Sequence, residues 1–229
     1  MLLWSRAAVR TGITGDASLD PLSHRSVSAS AASESVQLRA ARRRTLWRAR
    51  DAMPWAARIV ATERIRTALA RSPWLRPGTR IGLYVSRGSE VNTLPLRLLA
   101  RRRGCHVYLP RITDFRNKRM VMVEESGGPM RLNRYRIAEP SAGMITTAQA
   151  LAVVLMPLVG FDEAGNRLGN GAGYYDRFLA TRRATRGMPV LVGIAFDVQR
   201  CERLPAAAHD VPLDAVITES GIQYFARTD

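Results

Sequence analysis

Lysine is almost absent from this chain: of 35 basic residues, every one but Lys118 is arginine. Acidic residues are also few, 19 in all, which leaves a net charge of +16 and a pI of about 11.4. A charge that high invites a nucleic-acid reading. Dedicated nucleic-acid surfaces mix both cations, however, and an arginine bias this one-sided, beside many alanines, points instead to GC-rich coding. Composition is a weak guide to partners. The expected ligands of the positive field are small anions such as nucleotides and polyglutamates. Cysteine and histidine are scarce too. Cys105 and Cys201 form no CxxC pair, and His24, His106 and His209 complete no zinc spacing. Free thiols in a reducing cytoplasm are expected, with a disulfide as the alternative. No apolar run approaches the ~18–20 residues that cross a bilayer, which argues against an integral membrane protein.

What is present suits a folded domain. With 229 residues, 46% of them hydrophobic and 24% charged, the chain can bury a substantial core. Residues 1–33 stand apart. Their stretch SHRSVSASAAS is small and polar and has neither helical nor strand period. The segment reads as a disordered extension or as the product of a misassigned start. Mitochondrial targeting is the alternative, which Asp16, Asp20 and Pro21 weaken. Residues 34–229 form the expected single domain. From Glu34 the pattern is helical, with Leu38, Ala41, Thr45, Ala49 and Ala52 on one face and Arg39, Arg43 and Arg50 in a narrow sector of another. Pro54 suits the first turn of a second helix, whose stripe is Trp55, Ile59, Thr62, Ile65 and Leu69.

Strand and helix patterns then alternate. Residues 80–85 read as a strand, 94–103 as a helix closed by Gly104, and 106–109 as a strand stopped by Pro110. Residues 120–125 read as an added hairpin strand and 151–156 as a buried parallel strand. A helix over 174–183 and strands over 190–196 and 215–218 complete the series. The pattern predicts an α/β fold around a mainly parallel sheet, with ligands beyond the carboxyl ends of its strands.

The richest stretch is MPLVGFDEAGNRLGNGAGYYDRFLA, residues 156–180. Gly169, Gly171 and Gly173 alternate just before a helix. Such a loop lets backbone N–H groups approach an anion, and the helix start adds a favourable dipole. Arg167 can add a charge-assisted bond to phosphate, and Asp176 can offer a carboxylate to a metal ion. The same spacing also fits a plain tight turn. It is neither a Walker loop nor a dinucleotide fingerprint, so the spacing by itself leaves both readings open.

The full string is more specific. Pro157, Phe161, Asp162, Gly165, Arg167, Leu168, Gly169, Gly171, Gly173, Tyr174, Tyr175 and Asp176 resemble, in register, the signature of the 5-formyltetrahydrofolate cyclo-ligase (5,10-methenyltetrahydrofolate synthetase) family. Leu158 stands where that family usually has glycine. The resemblance runs over roughly residues 38–219. It takes in Arg39 and Arg43, GSEVNT (88–93), YLPRI (108–112), RYRIAEP (134–140), GIAFDVQ (193–199) and HDVPLDAVITE (209–219). It implies a three-layer α/β/α fold related to sugar-phosphate isomerases and CoA transferases. It also implies an ATP- and Mg²⁺-dependent closure of 5-formyltetrahydrofolate to 5,10-methenyltetrahydrofolate.

Site roles follow from the same resemblance. Arg39, Arg43 and Arg167 would clamp the triphosphate, and Gly169, Asn170, Gly171, Ala172, Gly173, Tyr174 and Tyr175 would line it. Asp176 and Asp210 would hold Mg²⁺, with Arg167 and Asp176 as the catalytic pair. Val85, Glu90, Tyr135 and Tyr174 would bind the folate, Glu90 accepting the paired donors of the pterin edge. Arg39 stands where the family has lysine, which keeps the charge but changes the geometry. Ile112 replaces an aromatic contact of vertebrate members.

Taken without the family, these residues have ordinary roles. Asp176 would be a helix-start carboxylate, Asp210 the anchor of an Asx-turn and Glu90 a solvated acid. Val85 and Tyr135 would be core, and the arginine stripe a solvated face. The expected protein is a cytoplasmic monomer acting on 5-formyltetrahydrofolate, with or without a polyglutamate tail, and with no membrane or nucleic-acid partner. Two other functions compete. One is a same-fold enzyme for another small anion. The other is a basic nucleic-acid-binding protein, for which Trp47 among Arg43, Arg44, Arg48 and Arg50 is the local sign.

Overall fold

Strands and helices alternate along the chain as the pattern predicts. A computed structural model describes residues 21–180, 189–205 and 210–226. The chain divides into units of residues 1–36 and 37–229. The helices are α1 (Pro21–Asp51), α2 (Trp55–Ala70), α3 (Leu94–Arg102) and α4 (Tyr174–Phe178). The strands are β1 (Arg80–Gly82), β2 (His106–Asp114), β3 (Arg119–Glu124), β4 (Met130–Leu132), β5 (Ala138–Pro140), β6 (Ile145–Thr146), β7 (Val153–Pro157), β8 (Gly160–Phe161), β9 (Arg167–Leu168), β10 (Val190–Ile194), β11 (Ala215–Thr218) and β12 (Gly221–Tyr224).

One eight-stranded sheet has the order β12–β11–β10–β7–β1–β2–β3–β6. From β11 through β10, β7 and β1 to β2 it is parallel; β12, β3 and β6 are antiparallel additions at its two ends. Successive side chains point to opposite faces. Val153, Leu155, Val192, Ile194 and Ile217 therefore join Ile65, Leu69 and Leu96 of α2 and α3 in one core. Val154, Met156, Leu191 and Val216 join Leu158, Phe161 and Leu179 in a second core on the other face. Burial on both faces is why 151–156 is apolar throughout.

Several boundaries differ from the sequence reading. The first helix begins at Pro21, not Glu34. Neither glycine nor proline interrupts residues 22–53, and proline itself is tolerated in the first turn. The disorder expected for residues 1–20 lies outside the described residues. Strand β1 ends at Gly82, three residues short of Val85. Strand β2 runs through Pro110 to Asp114. Its pairing with β1 ends at Tyr108, so the missing proline N–H faces no β1 partner there, and β3 continues the ladder on the other side. Helix α4 closes at Phe178, and residues 181–183 of the expected helix lie outside the described residues.

The largest correction concerns α1. The face expected to be apolar is mostly outward, with Leu38, Thr45, Ala49 and Ala52 exposed, whereas Leu46 and Arg50 are buried and Arg39 and Arg43 half-buried. The stripe 39–43–46–50 turns inward because those arginines find oxygen partners there. On α2 only Thr62, Ile65 and Leu69 of the expected stripe are buried; Trp55 and Ile59 are exposed.

Strand β1 lies between β2 and β7. The chain leaves it towards β2 on one side and later returns to β7 on the other. Such a reversal opens a crevice beyond the strands' carboxyl ends. Residues 83–93 follow β1 there, and the glycine-rich segment follows β7.

Candidate active site

The glycine loop is held by two buried polar side chains. Asp162 Oδ1 accepts from the N–H groups of Ala164 (3.1 Å) and Asn166 (2.9 Å). Its Oδ2 accepts from the Asn166 amide and the Leu204 N–H, both at 2.9 Å. Gln199 Nε2 donates to the carbonyls of Leu158 (2.8 Å) and Val159 (3.2 Å). This frame carries the β8–β9 hairpin and aims Arg167 at the loop that follows. Gly171 and Gly173 adopt φ of +90° and +73°, where side chains are strained. Arg177 Nη1 donates to the carbonyls of Ala172 (3.3 Å) and Gly173 (3.2 Å), closing the turn.

Two arginines, Arg43 and Arg167, lie against this loop, and Arg39 stands near Arg43. Arg39 forms a two-pronged bond to Asp210 (2.6 and 3.2 Å) and also donates to the Pro205 carbonyl at 2.6 Å. Arg43 Nε donates to the Gly169 carbonyl at 2.8 Å, and a Cβ on Gly171 would stand 3.5 Å from the Arg43 guanidinium carbon. Burial and the neighbouring Arg39 lower the Arg43 pKa, and Asp210 opposes them. Arg167, only 6% exposed, pairs with Asp176. Its Nε is buried without a partner among the described residues.

Arg43, Arg167 and Asp176 thus meet at the glycine loop, while Arg39 and Asp210 pair with each other and act electrostatically on Arg43. The structure also shows what the sequence could not: each expected metal carboxylate is already engaged by an arginine. Among the described residues there is no group of three or more His, Cys, Asp or Glu able to hold a metal ion. Mg²⁺ that arrives with phosphates needs only one or two carboxylates, the rest of its shell being phosphate oxygen and water. Three guanidiniums, one with an orphaned buried donor, beside left-handed glycine backbone fit a polyphosphate.

Glu90 lies on the loop after β1 and accepts from the Arg87 N–H at 3.0 Å. Burial pushes its pKa up, while that bond, Arg50 and the Asn170 amide pull it down. Asn170 belongs to the glycine loop, so the two loops share one cleft. Burial, then Glu90, raises the phenol pKa of both Tyr84 and Tyr175. The Tyr175 hydroxyl is buried without a partner among the described residues. Val85 packs on the α2–α3 core and keeps partial exposure.

Tyr174 packs on the other core. Burial, then the Tyr135 hydroxyl, pushes its phenol up to about 12. Tyr135 meets Phe115 edge-on at 5.5 Å, and Arg134 lies over both rings, 4.3 Å from Phe115 and 5.1 Å from Tyr135. The turn between β2 and β3 places Phe115 beside Tyr135.

Sequence reasoning assigned no role to Arg50, Ser89, Phe115 or Gln199. Ser89, Gln199 and Asp162 stand within matched segments, which is the one signal that pointed to them. Trp47 packs on a small core of Leu46, Val159, Leu168 and Leu204, and Arg50 is buried. Arg44 and Arg48 of the same cluster are exposed.

Comparison with known proteins points to one family. Residues 33–219 match the family model of 5-formyltetrahydrofolate cyclo-ligases. The 5-formyltetrahydrofolate cyclo-ligase of Escherichia coli K12 is 35% identical over 145 residues, covering 62% of this chain and 79% of that protein. The Mus musculus enzyme is 30% identical over 151 residues, covering 61% and 73%. The solution structure of Aquifex aeolicus 5,10-methenyltetrahydrofolate synthetase superposes with a TM-score of 0.72 at 26% identity, covering 84% of this chain and 95% of that one.

Proposed function

The chain belongs to the 5-formyltetrahydrofolate cyclo-ligase family, and from that premise we propose that it closes 5-formyltetrahydrofolate to 5,10-methenyltetrahydrofolate at the expense of ATP. One observation carries the reading most directly. The arginine cluster around the glycine loop and the Glu90 loop share one cleft, through Asn170. A polyphosphate and a pterin thus have adjacent, chemically distinct walls.

The chemistry suits such a site. An amide-like formyl oxygen is a poor leaving group. Once it takes the γ-phosphoryl group of ATP, with ADP released, N10 attacks the formyl carbon, loses its proton, and phosphate departs with the oxygen. Transfer of this kind needs positioning and charge neutralisation more than a covalent protein group. Arg39, Arg43 and Arg167 supply positive charge, and the backbone of residues 169–174 supplies N–H donors. Asp176 and Asp210 are the carboxylates that would hold Mg²⁺, whose role when bound is to neutralise and orient the phosphate oxygens. Glu90 accepts from the pterin edge, and Tyr135, Tyr174 and Val85 offer apolar walls. Two free cysteines, Cys105 and Cys201, suit the proposed cytoplasmic setting. Among the described residues no helix is long and apolar enough to cross a membrane.

Purified protein given 5-formyltetrahydrofolate and MgATP should develop methenyltetrahydrofolate absorbance, with ATP and Mg²⁺ both required. Folded protein that forms no such product would overturn the proposal. A chain starting at Ser35 keeps Arg39, Arg43, Leu46 and Arg50, and is expected to turn over at the full-length rate. A clear loss in rate or in thermal midpoint would give the first 34 residues a role.

A further inference from the structure

Arg50 has no place in the roles assigned so far. It lies on the inward stripe of α1 and its side chain is buried, with 7% exposure. Its Nε donates to Ser89 Oγ at 2.9 Å, and that hydroxyl donates in turn to Asp51. Its Nη1 is buried without a partner among the described residues. A buried charged donor with no acceptor is costly, and a ligand acceptor reaching it would relieve that cost.

The position of the orphan narrows that acceptor. Arg50 is anchored on Ser89, the residue immediately before Glu90. Arg50 is therefore held next to the Glu90 loop and acts electrostatically on Glu90. A pterin presents three groups in a row along one edge: an exocyclic amine, a ring N–H and a ring carbonyl oxygen. The first two are donors, suited to Glu90. The third is an acceptor, displaced by one position along the same edge.

We propose that Arg50 donates through Nη1 to the ring carbonyl oxygen of the pterin, so that Arg50 and Glu90 together read a donor–donor–acceptor edge. This rests on the assignment of Glu90 to the pterin made above. A guanidinium bond to a buried acceptor adds selectivity as well as affinity, because an analogue without the acceptor leaves the donor unpaired.

The test uses two probes with the full-length protein: folic acid, and its analogue bearing an amino group in place of the ring carbonyl. Affinities are read by calorimetry for the wild type, Arg50→Met, Arg50→Lys and Glu90→Gln. Arg50→Met should weaken folic acid about 10–100-fold and leave the amino analogue nearly unchanged, so that the part of the discrimination owed to the ring carbonyl is lost. Arg50→Lys keeps a charge and a donor. It should lose a few-fold on folic acid alone, and it serves if the methionine variant does not fold. Equal weakening of both probes would show that Arg50 only braces the Ser89–Glu90 loop, and would overturn the proposal. Glu90→Gln that binds folic acid like the wild type would instead remove the Glu90 assignment beneath it.

Discussion

Asp176→Asn should lower kcat by roughly 10²–10³ at saturating substrates, the usual effect of removing one electrostatic contact from a preorganised site. The carboxylate stands next to Arg167, and both belong to the cluster proposed to hold the transferring phosphates. The structure adds a second effect that the sequence did not suggest. Arg167 is nearly enclosed, and Asp176 is its carboxylate partner in the pair, with side-chain exposures of 5% and 21%. Asparagine keeps a carbonyl acceptor but removes the charge, leaving the guanidinium only partly compensated. A stability loss on the order of 1–3 kcal/mol is expected. The measurements are kcat across a Mg²⁺ titration and the thermal midpoint. If kcat stays near wild type at saturating Mg²⁺ while the midpoint falls, Asp176 serves Arg167 alone and its metal role is wrong.

Glu90→Gln should weaken folate binding about 10–100-fold, the worth of hydrogen bonds to a charged acceptor. MgATP affinity should hold, since the arginine cluster is untouched. The same residue predicts a pH dependence. Burial raises the Glu90 pKa, so the ionised acceptor is lost as pH falls through a value above the usual carboxylate range. Folate affinity should drop there in the wild type, and the step should be missing in Glu90→Gln. Stability moves the other way. A carboxyl with a raised folded-state pKa binds its proton more readily folded than unfolded, so this contribution weakens as pH rises through the window between the two values. Glutamine should therefore raise the thermal midpoint of the ligand-free protein at neutral pH. A wild-type folate affinity that is flat across that window would remove Glu90 from the binding wall.

The fold was legible where local pattern and global burial ask for the same residues. VVLM of β7 is apolar because both faces of a central strand are covered. Gly104, with φ of +75°, ends α3 as its position suggests. Pro110 was misread because a lone proline looks like a strand terminator, and only the register shows that β1 has already ended beside it. Helix α1 was turned the wrong way round for a related reason. A wheel ranks faces by hydropathy, and it scores arginine as outward unless the oxygens that await it are known.

What the sequence determined by itself was the alternating α/β plan and the glycine string before α4. These are carried by short windows, where spacing and backbone conformation are local properties. Tertiary structure alone decided how those residues meet. Arg39 reaches Asp210 across 171 positions of chain, Arg43 reaches Gly169 across 126, and Arg50 reaches Ser89 across 39. Hydrogen bonding and charge act over a few ångströms of space without regard to separation along the chain. The partner of each arginine, and so its orientation and its role, is therefore set only when the sheet brings the segments after β1, β7 and β10 together.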